Sequence, residues 1–320
     1  MSRSVTQRER RTYFNNPLVE ESLRHLPAAL NHPRSTDFRD YLVQHLHHNS
    51  HSTRLKAAEY ISIRFAKDGA INLALAAAIK KFGDSPIGRE IFYFEFLQAI
   101  PMLQEIAIRW LAELPPAGVP RSSLISFLDT RLGGRSSDKV ASSAVQAFKL
   151  LGRVRVPKPA FYIPVRPVPP PEAFLYILAR HYPEPTMVRL ETFAGENIIR
   201  AMLWPSACIP GLLKAAESAG HVSKISQLDQ YHQFTLSGTG EERMRLLLGD
   251  ALPAPKRPPE PLVTILRESD SHATEFVPAN VAEESLPMAA QSADQLNLFK
   301  GSVDQSTRPG KAKRRKIHAS

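Results

Sequence analysis

Between residues 35 and 156 the apolar positions recur at three- and four-residue spacing, and the breaks carry Gly or Pro, which predicts a series of helices. The first covers 37–45. The second, 53–66, has Leu55, Ala58, Tyr60, Ile61 and Phe65 to bury and stops at Asp68-Gly69; the third, 70–82, stops at Gly83. The fourth, 89–98, carries Ile91, Phe92, Phe94, Phe96 and Leu97 and is apolar nearly all round, so it belongs in the middle of a core. Helices over 102–114 and 122–132 complete an all-helical amino-terminal bundle.

Proline changes the pattern next. Pro157, Pro159, Pro164, Pro167, Pro169, Pro170 and Pro171 crowd a stretch that cannot be helical, and 157–171 reads as an extended linker between domains. Beyond it, helices are expected over 171–182, 196–203 and 210–219, the last with Pro210 in its first turn and Gly220 as its left-handed stop. Residues 221–226 and 231–236 then alternate as a hairpin does. Three helices followed by a hairpin is the order of a winged helix-turn-helix. After Asp250, five prolines and scattered charges without periodicity predict a disordered tail.

The expected fold class is therefore mainly α: a basic arm (1–34), a helical domain (35–156), the proline-rich linker, a winged-helix domain (172–250) and a tail (251–320). The segment 121–156 shares the helix-then-Gly pattern of the second domain, with a helix, Gly133-Gly134, Ser136 as cap, a second helix over 137–151 and Gly152. There is no repeat at a fixed period.

The composition adds a partner. Among 320 residues, 41 Lys and Arg against 31 Asp and Glu leave a net charge of +10, which favours a polyanion. In a winged helix the third helix enters the major groove while the hairpin reaches the flanking backbone. The elements over 210–236 offer Lys214, Ser218, His221, Lys224, Gln230 and His232. The helix over 137–151 offers Lys139, Ser142, Ser143, Gln146 and Lys149, flanked by Arg131, Arg135, Arg153 and Arg155. Lys139, Ser143, Gln146, Arg153, Arg155, Lys214, His221 and Lys224 are the expected contacts to double-stranded DNA. A solvated bundle helix and a protein-docking module are the plainer readings of the same two segments.

Little else points to chemistry. One cysteine, Cys208, excludes a disulfide within the chain and a thiolate zinc cage, and its apolar context reads as inert. His45, His47, His48 and His51 lack a companion carboxylate at ligand spacing and read as a polar helix end, so no metal and no cofactor are expected. No phosphate-binding loop, nucleophile elbow or zinc-protease motif occurs. The apolar run 70–79 is half the length of a membrane span, and no secretory leader is expected; the cytoplasm is the expected location.

Glu172-Ala-Phe-Leu-Tyr-Ile-Leu, Trp204 ahead of Ile209-Pro-Gly-Leu-Leu-Lys-Ala-Ala-Glu-Ser-Ala-Gly-His, the strand Tyr231-His-Gln-Phe-Thr-Leu and the upstream Lys139–Gly152 segment together resemble the BrxA family of BREX phage-exclusion loci. The resemblance spans residues 10 to 248. It implies a small helical protein that binds double-stranded DNA, and it transfers no catalytic residue. The longer proline-rich stretch and the tail depart from the family.

Two signals lie in the tail. Gln295, Leu296, Asn297, Leu298 and Phe299 resemble the pentapeptide that docks bacterial proteins on the sliding clamp; a transient turn or a contact with the protein's own core is the plain alternative. The end of the chain, including Lys313, Arg314 and Arg315, is a cationic run suited to phosphate, or to a nuclear address in a eukaryote. The sequence thus predicts a non-enzymatic DNA-binding accessory of a phage-defence system. The alternative is an adaptor whose winged helix docks another defence subunit and whose tail recruits the clamp.

Overall fold

Local chain stiffness and capping decide where the helices begin, and a computed structural model describes the outcome for residues 16–133, 136–228 and 231–253. The chain is mainly helical. Helix α1 (Val19–His25) folds the end of the basic arm onto the bundle by burying Val19 and Leu23, and a 3₁₀ turn (Leu26–Leu30) follows. Helix α2 (Ser35–His45) buries Phe38 and Leu42, and α3 (His51–Arg64) buries Ala57, Ala58 and Ile61. A two-residue hairpin of β1 (Ala66–Lys67) and β2 (Ala70–Ile71) then turns at Asp68 and Gly69, both at positive φ. The helix expected from residue 70 therefore starts later. Asn72 accepts the Leu75 amide hydrogen bond at 3.1 Å and so caps α4 (Leu73–Phe82).

Helix α5 (Pro86–Ala99) is capped by Ser85 and runs through the core, with Ile91, Phe92, Phe94, Phe96 and Leu97 buried. Its Glu90 and Glu95 are buried too, each about 5% exposed, which no apolar pattern anticipates.

The remaining elements fall into two units. In the first, α6 (Pro101–Ile106) continues through a π turn at Ala107–Leu111 and is followed by β3 (Val119–Pro120), α7 (Arg121–Leu132), α8 (Ser137–Leu150), β4 (Val154–Lys158) and β5 (Phe161–Pro164). The three strands form an antiparallel sheet in the order β3-β5-β4. In the second, α9 (Pro171–His181) leads to β6 (Met187–Arg189), α10 (Leu190–Gly195), α11 (Asn197–Ala201), α12 (Ile209–Ser218), β7 (Val222–Leu228) and β8 (Tyr231–Leu236). Its antiparallel sheet has the order β6-β8-β7. Helix, short strand, helix, helix and hairpin thus recur with the same strand order, the second unit splitting its middle helix in two. Helix α13 (Gly240–Leu248) closes the described fold, opened by a capping box in which Thr239 and Glu242 exchange hydrogen bonds.

The proline-rich stretch is not the linker expected. Its first part is β4 and β5, paired through Arg155 with Ile163, and proline is tolerated there because Pro157 sits at the break in register between Arg155 and Lys158 and Pro164 ends β5. The described residues belong to one compact unit with one core. Helix α5 joins the two repeats: Glu90 Oε2 meets Arg153 Nη2 of the first at 2.6 Å, while Glu90 Oε1 accepts from Trp204 Nε1 of the second at 2.6 Å. Tyr93 donates to the Ala201 carbonyl at 2.9 Å, and Glu95 accepts from Tyr176 at 2.7 Å and Arg180 at 2.8 Å. Among the described residues no single helix is long and apolar enough to cross a membrane. The tail from residue 254 on lies outside the described residues.

Candidate nucleic-acid interface

Helix α8 has two faces because its sequence alternates small apolar and polar residues at helical spacing. Ala141, Ala144, Val145, Ala147 and Phe148 are buried against the unit's core. Lys139, Ser142, Gln146 and Lys149, spaced three and four apart, form a single exposed stripe, with Ser143 half-buried beside it. The following strand adds Arg155 and Lys158, both exposed, with Lys158 Nζ 4.9 Å from the centre of the Phe161 ring.

Asp138, in the first turn of α8, would oppose an approaching phosphate. It is held by Arg121, whose Nη2 donates to Asp138 Oδ1 and to Ser142 Oγ, each at 2.8 Å. Ser142 in turn donates to the Asp138 carbonyl. The expected cap Ser136 stands at the start of α8 in a left-handed conformation and makes no side-chain cap.

Two expected contacts are corrected. Arg153 is 1% exposed; its guanidinium pairs with Glu90 and lies over the Tyr93 ring at 4.2 Å, so it cannot reach a duplex. His221 is also 1% exposed, and burial followed by the nearby Arg243 guanidinium pushes its pKa down to about 4, so it is a neutral core residue at pH 7. Arg131 is occupied as well, paired with Glu105 at 2.8 Å and stacked 3.7 Å from the centre of the Phe127 ring.

In the second unit Lys214 and Lys224 are exposed, as are Glu217, Ser218 and His232. Beside α12 lies a small cavity of about 200 Å³ lined by Leu190, Pro210, Leu213, Ile225 and Phe234, with Lys214 at its edge. A larger cleft, about 600 Å³, has Arg109, Arg131 and Arg200 in its walls, but Glu105 and Glu113 face them there. His45 stacks on Tyr41 at 4.0 Å, and the Cys208 thiol, raised by burial, donates to the Pro205 carbonyl. Gln295, Leu296, Leu298, Phe299, Lys313, Arg314 and Arg315 lie outside the described residues, as do Arg135 and Gln230.

The buried network of Glu90, Glu95, Tyr176 and Trp204, which the exposed Arg180 reaches from the surface, has no counterpart in the sequence-based expectations. Its signal is present all the same: two glutamates inside a helix otherwise apolar all round must be paired to be buried.

No protein-family model matches this chain, and no curated protein does. Among solved structures, one described as an SspB crystal structure aligns over 72% of this chain and 86% of its own, with a TM-score of 0.51 and 12% identity. A magnesium ion-bound SspB crystal structure aligns over the same shares at 12% identity, with a TM-score of 0.49. At such identity the likeness is one of fold.

Proposed function

We propose that this protein is a non-enzymatic, cytoplasmic accessory of a bacterial phage-defence system of the BREX kind, and that it binds double-stranded DNA mainly through phosphate contacts. Each of the two repeated units is read as a winged helix, α8 and α12 being the third helices and β4-β5 and β7-β8 the wings. The observation that carries the proposal is the exposed stripe of Lys139, Gln146 and Lys149 continued by Arg155 and Lys158, with Asp138, the one acidic residue of α8, held by Arg121. The resemblance to BrxA proteins supports the defence setting.

The test is fluorescence polarisation of a labelled random duplex with the full chain and with a chain ending at Pro258, across a salt series. Four phosphate contacts predict a slope of log K against log salt of about −3.6, hence roughly 150-fold weaker binding at 200 mM than at 50 mM. Retention of that slope by the shorter chain supports recognition by the folded part. Binding lost on truncation would assign it to the basic tail, and no binding at low salt would sink the proposal. A second reading, an adaptor that docks a partner subunit and recruits the clamp through Gln295–Phe299, is favoured only by the apolar cavity beside α12; it predicts association that salt barely affects.

A further inference from the structure

Repeats of one topology need not share one task, and here the two third helices differ at the positions where a reading helix meets the groove. Such a helix touches base edges with the residues of its amino-terminal half. In α8 those are Lys139, Ser142 and Ser143, followed a turn later by Gln146, all polar; Lys139, Ser142 and Gln146 are exposed and Ser143 is half-buried. In α12 the same turns present Pro210, whose ring lines the apolar cavity, and Gly211, which has no side chain; the first hydrogen-bonding side chain is Lys214. Glu217 follows on the exposed side of α12, and no cation of the described residues pairs with it, whereas Asp138 of α8 is held by Arg121. The wings differ in the same sense. Among the described side chains, the first exposes Arg155 and Lys158, the second Ser223, Lys224 and His232.

Resting on the proposed DNA binding, we infer that the duplex is read by the first unit alone, with α8 in the major groove and Gln146 as its base-discriminating side chain, while the second unit has lost this role. Lys139, Lys149, Arg155 and Lys158 hold phosphates. The carboxamide of Gln146 can make the paired hydrogen bonds that select adenine. Arg121 is a positioning residue, because it pairs with Asp138, the one acidic residue of the reading helix, and offsets its repulsion of phosphate.

The experiment compares exposed-residue variants of the full chain on random duplex over 50 to 200 mM salt, each first shown to melt like the parent. Lys139→Ala with Lys149→Ala, and separately Arg155→Ala with Lys158→Ala, are expected to weaken binding at least tenfold at 150 mM and to reduce the salt slope by about 1.8. Lys214→Ala with Lys224→Ala is expected to change affinity less than twofold and leave the slope intact. Arg121→Ala should weaken binding several-fold, and adding Asp138→Asn should restore most of it, a rescue that a purely architectural arginine would not show. Selection from a randomised duplex pool should enrich adenine at one position with the parent and lose that enrichment with Gln146→Ala. Equal or larger losses from the α12 pair overturn the inference, as does an adenine preference untouched by Gln146→Ala. Failure of the parent itself to bind duplex would instead overturn the proposed function.

Discussion

His221 shows how burial reverses what a residue type suggests. Positioned after a glycine and before a strand, it reads as a polar contact, yet its ring is packed beside Arg243 and stays neutral at pH 7. The consequence is a pH dependence of stability. Between pH 6.5 and about 4 the unfolded chain protonates this histidine and the folded one does not, so its contribution is complete above 6.5 and declines as the pH falls through that window. The full effect is at most about 3 kcal/mol. Denaturant unfolding at pH 7 and pH 4.5 should show a loss that shrinks in His221→Phe; His25, also lowered by burial, leaves a residual slope. An unchanged pH dependence in that variant would refute the assignment. Arg153 teaches the same lesson, since a guanidinium that lies in sequence between Lys149 and Arg155 turns out to be the counter-ion of a core glutamate.

Among the elements, the helices were largely legible because a sustained three-to-four spacing marks a face whatever it packs against. α2, α7, α8, α9 and α12 lie within a residue or two of their predicted bounds. The short strands were not, since two or three residues carry no period of their own and exist only through their partners. β3 is the clearest case: Val119 and Pro120 pair with Tyr162 and Phe161, more than forty positions away. The chain enters β3 through Gly118, at φ 87°, where a Cβ would lie 2.5 Å from the Tyr162 carbonyl oxygen. Gly118→Ala is therefore expected to cost about 1 to 3 kcal/mol, from left-handed strain and the clash together, read as a lowered melting temperature. A variant as stable as the parent would show that β3 is not held as described.

For the whole molecule, the decisive groups are the buried acids of α5. Glu90 ties Arg153 of one repeat to Trp204 of the other, and Glu95 ties α9 to the same helix, so the repeats share a core across the prolines. Removing one partner of a buried pair leaves the other charged and unpaired. Glu90→Ala should therefore lose about 3 to 5 kcal/mol. In the parent, helical content and tryptophan fluorescence should melt in one coincident transition, since Trp110 and Trp204 sit in different repeats. Separate transitions would mean two independent domains after all.

The sequence by itself determined the helices, the glycine stops and the polar stripe of α8, because each depends on neighbours a few residues away and on the simple preference of apolar groups for burial. It also carried the duplicated helix-then-Gly pattern without revealing that both copies build the same sheet. Tertiary structure alone decided which cations face solvent. Lys139 and Arg155 do and Arg153 does not, although Arg153 and Arg155 are two positions apart on one extended segment. The reason is physical: a charge is buried only where a counter-charge distant in the chain waits for it, and Glu90, sixty-three positions earlier, supplies one to Arg153.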